Sequence, residues 1–427
     1  MTADTIYALS SGSPPAAIAI VRISGPRAAA ALEALAGGGV EPRRAALRAL
    51  RHPAGGELLD RALVLLFPGP NSATGEDLAE LHLHGGRAVV RSVLKALAEI
   101  EGLREARPGE FTRRAFDNGR IDLSEAEGLA DLLAAETEGQ RRAALAMAGG
   151  ALGRQVEAWR RRLLGLAAQI EAALDFSDEG EVGEDLPAGW AEDLAGFTAE
   201  LEAMLARPPA ERLRDGVRLV IAGPPNAGKS SLLNILAGRE AAITSEIAGT
   251  TRDLVEAPTA IGGTPFLLVD TAGLRESADA IETIGVARAR QSLGDADLIL
   301  WLGAPEDCPD PKRAILVHAK ADLAPPPPEA DVAISSVTGS GLDALVALIA
   351  ERAKALLPRE GEVAINARHR AAIAEALAAL REAQDQRDLL LAAEALRQAR
   401  LALDRVTGRA GTEDMLDALF GRFCVGK

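Results

Sequence analysis

Residues 223–230 read Gly-Pro-Pro-Asn-Ala-Gly-Lys-Ser, a glycine, four spacer residues and then Gly-Lys-Ser. The segment follows the apolar run Val217–Ala222 and opens a helical pattern. In that setting the backbone N–H groups of the loop converge on phosphate oxygens, with a helix N-terminus behind them. Lys229 is placed to reach the β- and γ-phosphates and Ser230 to hold Mg²⁺, while Asn226, Ala227, Gly228 and Ser231 complete the cradle. Asp270-Thr271-Ala272-Gly273 follows the run Phe266–Val269, where a metal-side carboxylate and a γ-phosphate sensor are needed. Gly249-Thr250-Thr251-Arg252-Asp253 lies between the two, where Thr251 can join Mg²⁺. Ala319-Lys320-Ala321-Asp322 follows the run Ala314–His318, at the place where guanine is read by Asn-Lys-x-Asp, and Ser335-Ser336-Val337 supplies a last loop around the base. Four motifs in this order imply GTP with Mg²⁺, and a GTPase of the translation-factor-like class.

Two positions depart from that pattern. Ras-like enzymes carry a water-orienting Gln after the Asp-x-x-Gly turn, and here the residue is Leu274. Water must then be placed by another group, for which Glu282, Arg275 and Arg252 are the candidates. Ala319 stands where Asn is usual. It removes one neutral hydrogen bond and a brace, on the order of 1 kcal/mol. Affinity for GTP is expected to fall several-fold, with the choice of guanine kept by Asp322 and the backbone near Ser336.

The elements that must position these residues follow from composition and periodicity. The 427 residues suggest two or three domains at about 150 residues each. Hydrophobic residues make up 48% and charged residues 26%, which excludes wholesale disorder, and 3% aromatics argues against an all-β sandwich. Lys and Arg total 47 against 62 Asp and Glu, a net charge of −15 that argues against wholesale coating of nucleic acid. Two cysteines cannot build a disulfide framework or a four-thiolate zinc site. Neither a signal peptide nor a membrane-spanning run is read, so a cytoplasmic setting is expected.

Residues 1–118 read as a small α/β or α+β domain, with strands at Ala17–Arg22 and Ala62–Phe67 and helices at Arg27–Ala36 and Ala88–Glu99. Long helices occupy residues 119–212, with Ser124 and Glu127 read as a capping box and Phe176–Pro187 as an acidic loop. Residues 213–357 alternate strands (Val217–Ala222, Phe266–Asp270, Asp297–Leu302, Ala314–His318, Val332–Ser335) with helical patterns, which implies a parallel sheet. Residues 358–427 return to helix, chiefly over Asn366–Val406. The expected fold class is therefore multidomain, α/β and all-α: an N-terminal α/β domain, and a helical domain interrupted by an inserted Ras-like P-loop domain.

The ends of the chain carry a resemblance. Asp4-Thr5-Ile6, Val21-Arg22-Ile23-Ser24-Gly25-Pro26, Thr74-Gly75-Glu76-Asp77, Glu80-Leu81-His82, the block 106–123 (ARPGEFTRRAFDNGRIDL), the Gly-Thr-Thr-Arg-Asp loop and the ending Phe423-Cys424-Val425-Gly426-Lys427 resemble the tRNA-modification GTPase family MnmE, also called TrmE, over nearly the whole chain. The resemblance implies modification of the wobble uridine of certain tRNAs at C5, with an FAD-dependent partner, MnmG or GidA, in a heterotetramer. It implies an N-terminal domain that dimerises and binds a tetrahydrofolate one-carbon donor, 5,10-methylene or 5-formyl, through residues matching Arg22, Glu80, Arg120 and Lys427. Arg120 replaces the family's usual Lys, and Ser13-Pro14-Pro15-Ala16-Ala17 its Gly-rich stretch. For the inserted domain it implies K⁺ held at Asn226, Ser245, Ile247 and Thr250, and Glu282 as the water-orienting acid. It also gives the thiol of Cys424 a functional role.

Other features carry blander readings. Cys308 is incidental, His82-x-His84 is structural or pocket-lining rather than metal-binding, and Arg113-Arg114, Arg141-Arg142 and Arg160–Arg162 are mostly solvated helix faces, one of them a candidate for tRNA phosphates. The alternative reading of the phosphate motifs is a ribosome-assembly GTPase of the Era/EngA type. Such proteins usually carry an RNA-binding appendage such as a KH module, which the sequence is not read to contain. A helical scaffold with a vestigial GTPase is suggested by Ala319 alone.

Overall fold

The computed structural model describes residues 4–176, 188–239, 256–270, 291–359, 361–410, 413–421, 423, 425 and 426. It divides into two compact units, residues 1–130 with 407–427, and residues 131–406. Residues 119–130 and 407–427, which the sequence groups with the helical segments, thus associate with residues 1–118.

The first unit is built on strands β1 (Thr5–Leu9), β2 (Ile18–Ser24), β3 (Ala46–Arg51), β4 (Leu58–Phe67), β5 (Leu78–His84) and β6 (Leu103–Glu105). Their order is β3-β4-β5-β2-β1-β6, antiparallel except for the β1–β6 pair. Successive side chains alternate between the faces of a strand. Val21 and Ile23 of β2 and Ala79, Leu81 and Leu83 of β5 point to one face, where helices α1 (Ala28–Ala36) and α2 (Arg87–Ala98) bury them with Leu32, Leu35, Val93 and Leu97. The same alternation sends Ile20, Arg22 and Ser24, and Glu80, His82 and His84, to the opposite face. At the β1 side of that face Ile6 and Ala8 are covered by Ala106 and Phe111, the latter from α3 (Glu110–Asp117). The helix Glu413–Phe420 closes against Phe116 and Leu123, and Val425 bridges to Pro108.

The second unit holds β7 (Val217–Ala222), β8 (Glu256–Ile261), β9 (Thr264–Asp270), β10 (Leu298–Trp301), β11 (Ala314–His318) and β12 (Val332–Ala333), in the order β12-β11-β10-β7-β9-β8. All described pairings are parallel except the β8–β9 hairpin. Val220, Val269 and Ile299 line one core and Leu219, Leu268 and Leu300 the other, so the sheet is buried on both faces. The helices Ala151–Phe176, Trp190–Leu205, Ala367–Asp385 and Leu389–Val406 form a bundle around Trp159, Phe197, Ile373 and Leu403. The expected multidomain α/β and all-α arrangement is the one observed, while the antiparallel β8–β9 hairpin departs from the parallel sheet expected for residues 213–357.

Two local expectations are corrected and one is refined. The capping box at the start of helix Leu123–Ala134 is formed by Asp122 and Glu125, not Ser124 and Glu127. Asp122 Oδ1 accepts from the Glu125 N–H (2.8 Å), and Glu125 returns the bond to the Asp122 N–H (2.7 Å). Ser124, two residues past the cap and already inside the helix, donates its hydroxyl to the same Asp122 oxygen. The run Asn366–Val406 is two helices, because Asp388 accepts from the Leu390 N–H and starts a new one. Arg114 is buried within charged neighbours rather than on a solvated face. Of the acidic loop expected at Phe176–Pro187, Phe176 ends the helix Ala151–Phe176 and residues 177–187 lie outside the described residues.

Candidate functional site

The phosphate loop grows directly out of β7. Gly223 passes so close to Leu302 that a Cβ there would sit 3.1 Å from it, and Asn226 is held in the left-handed region at φ 58°. The chain then enters helix Lys229–Arg239 with its first N–H groups turned toward the loop. Lys229 is buried and donates its Nζ to the carbonyls of Gly223 (3.1 Å) and Pro224 (2.8 Å). Its ammonium is therefore fixed inside the cradle. Ser230 Oγ donates to Asp270 Oδ2 at 2.9 Å, which joins a hydroxyl to a buried carboxylate at the carboxyl end of β9. Two such hard oxygen donors suit Mg²⁺.

The base-side loops leave the carboxyl ends of β11 and β12. Lys320 stands at φ 61° and donates Nζ to the Asn226 carbonyl at 2.9 Å. That contact ties the guanine loop to the phosphate loop, a brace that survives the loss of Asn at position 319. The Ala321 N–H bonds the Ile334 carbonyl (2.9 Å) and couples the two base-side loops. Ser335 is buried, its hydroxyl accepting from the N–H groups of Val337 (3.3 Å) and Thr338 (3.2 Å), which shapes the turn beside Ser336. Asp322 is exposed. Asn226, Ala227, Gly228, Lys229, Ser230, Ser231, Asp270, Lys320, Asp322, Ser335 and Ser336 thus gather at one edge of the sheet, the carboxyl ends where α/β sheets bind ligands. Ser245, Ile247, Thr250, Thr251, Thr271, Ala272, Gly273 and Glu282 lie outside the described residues, as do Arg252, Leu274 and Arg275.

A second polar site lies on the first unit, on the sheet face opposite α1 and α2. Arg22 and Glu80 are register partners on β2 and β5, and Arg22 Nε donates to Glu80 Oε1 at 2.9 Å. The other carboxylate oxygen meets His82 Nε2 at 3.0 Å. Burial pushes the Glu80 carboxyl up, but the hydrogen bonds from His82 and Arg22 outweigh it and hold the group below the ordinary range. Arg120 follows α3, and its Cγ lies 3.2 Å from where a Cβ on Gly75 would stand. The adjacent Thr74 hydroxyl is 2.7 Å from Ser24 Oγ, two residues beyond Arg22 on the same face. The chain end approaches from β1. Gly426 is at φ +93°, and a Cβ there would be 2.1 Å from the Leu9 carbonyl, so only glycine allows the contact. Leu9 pairs with Val21, and the neighbouring Ala8 with Arg22. Cys424 and Lys427 lie outside the described residues.

A charged network supports this face. Arg114, with 4% side-chain exposure, bonds Asp4 Oδ1 (3.0 Å), Glu76 Oε2 (3.0 Å) and Glu110 Oε1 (3.2 Å). Ser24 donates to Glu76 Oε2 (2.9 Å), so the network reaches β2 two residues from Arg22. Arg113 pairs with Glu413 and Asp417 and fastens the tail helix. The expectation of a solvated helix face or a contact for tRNA phosphates at Arg113-Arg114 did not anticipate the buried cluster around Arg114. The i,i+4 spacing of Glu110 and Arg114 is the one local signal that pointed to it. His82, expected to be structural or pocket-lining, sits on Glu80, and His84 Nδ1 meets Asp60 Oδ1 at 2.7 Å. Arg141 and Arg142 pair with Glu138, and Arg160 with Asp404. Cys308 is half-buried beside Val220 and Ile299.

Both parts of the chain match known proteins. The family described as GTP-binding protein TrmE N-terminus matches residues 5–120, and the MnmE helical domain matches residues 123–424. The tRNA modification GTPase MnmE of Rhizorhabdus wittichii is 60% identical over 428 residues, covering 99% of this chain and 97% of its own. The proteins of that name from Erythrobacter litoralis (57% over 425 residues) and Zymomonas mobilis (52% over 433 residues) each match 99% of this chain and 100% of their own. These full-length matches agree with the phosphate cradle and set aside the ribosome-assembly alternative. The chain belongs to the MnmE family of tRNA modification GTPases.

Proposed function

We propose that this GTPase spends GTP hydrolysis on adding a one-carbon unit, as an aminomethyl or carboxymethylaminomethyl group, to C5 of the wobble uridine of tRNA. In this reading it works as a homodimer in the cytoplasm, joined to the FAD protein MnmG in a heterotetramer. Residues 1–118 dimerise and carry the Arg22–Glu80 part of the folate site, residues 119–212 and 358–427 form the helical domain, of which 119–130 and 407–427 pack with residues 1–118, and residues 213–357 form the GTPase domain.

The phosphate site supports a division of labour. Lys229 neutralises charge on the β- and γ-phosphates, and Ser230 and Thr251 hold Mg²⁺ with Asp270 beside them. Asn226, Ser245, Ile247 and Thr250 hold K⁺, which supplies positive charge where an arginine finger would. Glu282 orients the attacking water, in keeping with the apolar Leu274. Cys424 supplies a thiol to the modification half of the reaction.

The observation that carries the folate part is the Glu80 carboxylate held between Arg22 and His82. An ionised carboxylate accepts about four hydrogen bonds, so Glu80 retains capacity for the N–H edge of a pterin. Arg22 gives only Nε to Glu80, one of about five N–H donors, and its fork suits a folate carboxylate or carbonyl. Arg120 and Lys427 add cations for the same anionic ligand. Tetrahydrofolate, when bound, supplies the one-carbon unit, and these residues bind and orient it.

Calorimetry on the full chain with 5-formyl-tetrahydrofolate tests this. Binding is expected for the wild type, with Arg22→Ala and Glu80→Ala each weaker by about 10- to 100-fold, the worth of a hydrogen bond to a charged group. Absence of heat from the wild type at high ligand concentration would overturn the folate reading.

A further inference from the structure

One ionisable side chain on the Arg22–Glu80 face, His82, bonds Glu80 but is given no contact with the ligand in the function proposed above. His82 lies two residues beyond Glu80 on β5, and the pleat therefore turns both to the same face. Its Nε2 stands 3.0 Å from Glu80 Oε2, while Arg22 holds Oε1 at 2.9 Å. We propose that His82 is a positioning residue for Glu80, fixing the plane of its carboxylate so that the remaining lone pairs face the N–H edge of a pterin. The inference rests on the reading of this face as a tetrahydrofolate site.

The geometry gives the reason. Arg22 grips Glu80 through Nε alone, with one bond to one oxygen. A carboxylate held at one oxygen rotates about its last torsion, which is broad and roughly two-fold. A second donor on the other oxygen removes that freedom. An ionised carboxylate is acceptor-only, so His82 must present Nε2–H, and this bond selects its tautomer or its charged form. The ring itself is steadied by its place in the sheet. Its register partners are Ile20 on β2 and Leu63 on β4, two aliphatic positions that offer it no competing polar partner. Among the described residues, its charged partner is Glu80, itself bonded to Arg22, whereas His84, further along β5, is engaged by Asp60.

A double-mutant cycle on the full chain tests the proposal, read as affinity for 5-formyl-tetrahydrofolate by calorimetry. His82→Leu is expected to weaken binding about tenfold, the loss of one charge-assisted bond. His82→Gln, which can place an amide N–H on the same oxygen, should restore affinity to within about threefold of wild type. In the Glu80→Ala background His82→Leu should change affinity by less than about twofold, since it acts only through Glu80. A tetrahydropterin lacking the glutamate tail should lose affinity by the same factor as the full ligand. A His82→Leu loss that persists undiminished without Glu80, or a folded His82→Gln that fails to recover, would overturn the positioning role alone. Wild-type chain that binds no ligand, or Glu80→Ala that binds as wild type, would overturn the folate reading and this inference with it.

Discussion

Lys229→Ala is expected to lower the rate of GTP hydrolysis by on the order of 10²–10³, as removal of a preorganised charge at a developing oxyanion does. The side chain is buried, and its ammonium is already held inside the loop by the Gly223 and Pro224 carbonyls. Little reorganisation is then needed when phosphate charge builds up, which is the condition under which a fixed cation is most effective. Alanine leaves the two carbonyls facing the phosphates with no cation between them. Lys229→Arg is expected to rescue little, because a planar fork is longer and wider than the point charge for which the space is built. Phosphate release and binding of a fluorescent GDP analogue measure the two halves of the effect. Hydrolysis at the wild-type rate in Lys229→Ala would remove this residue from the mechanism.

Arg114→Met is expected to destabilise the first unit by about 3–5 kcal/mol, the usual consequence of removing one partner from a buried charged cluster. Glu76 and Glu110, both largely buried, would lose their bonds to the Arg114 guanidinium, while the more exposed Asp4 contributes less. The same network gives the unit an acid limit. For Asp4 and Glu110, burial pushes the carboxyl up, but hydrogen bonds from Arg104 outweigh it, and both lie below their ordinary values of 3.8 and 4.5. A carboxyl whose folded value is depressed adds stability above its unfolded value and loses it as pH falls through the folded one. Thermal melts should therefore drop as pH is lowered below the ordinary carboxylate range, and Arg114→Met should flatten that slope as well as lower the plateau. A melt unchanged by the substitution at neutral pH would show that the cluster does not hold the unit together.

These two sites were not equally legible in the sequence. The phosphate cradle is local: eight consecutive residues after a strand make the loop, so the spacing of Gly223, Lys229 and Ser230 carried its own meaning. Ser230 and Asp270 are 40 positions apart, yet each was recognisable because its own strand and turn repeat a known pattern. The sheet-face site has no such local signature. Arg22 and Glu80 meet only through the register of β2 on β5, 58 positions apart, and Arg114 meets Asp4 across 110. Composition and periodicity could mark strands but not which strands pair, so the resemblance was needed to bring these residues together. The misplaced capping box has a smaller cause. Asp122, Ser124 and Glu125 all compete for the same hydrogen bonds, and the geometry of one turn decides which caps.

In the function proposed here the phosphate site and the Arg22–Glu80 face serve one reaction on tRNA. Mass spectrometry of wobble uridine, in tRNA from a strain lacking this protein and carrying it back as wild type, Lys229→Ala or Glu80→Ala, tests it most directly. The wild type should restore C5 modification and both variants should leave the uridine unmodified, with Glu80→Ala still hydrolysing GTP at the wild-type rate. Full modification by Glu80→Ala would show that the Arg22–Glu80 face takes no part in the reaction.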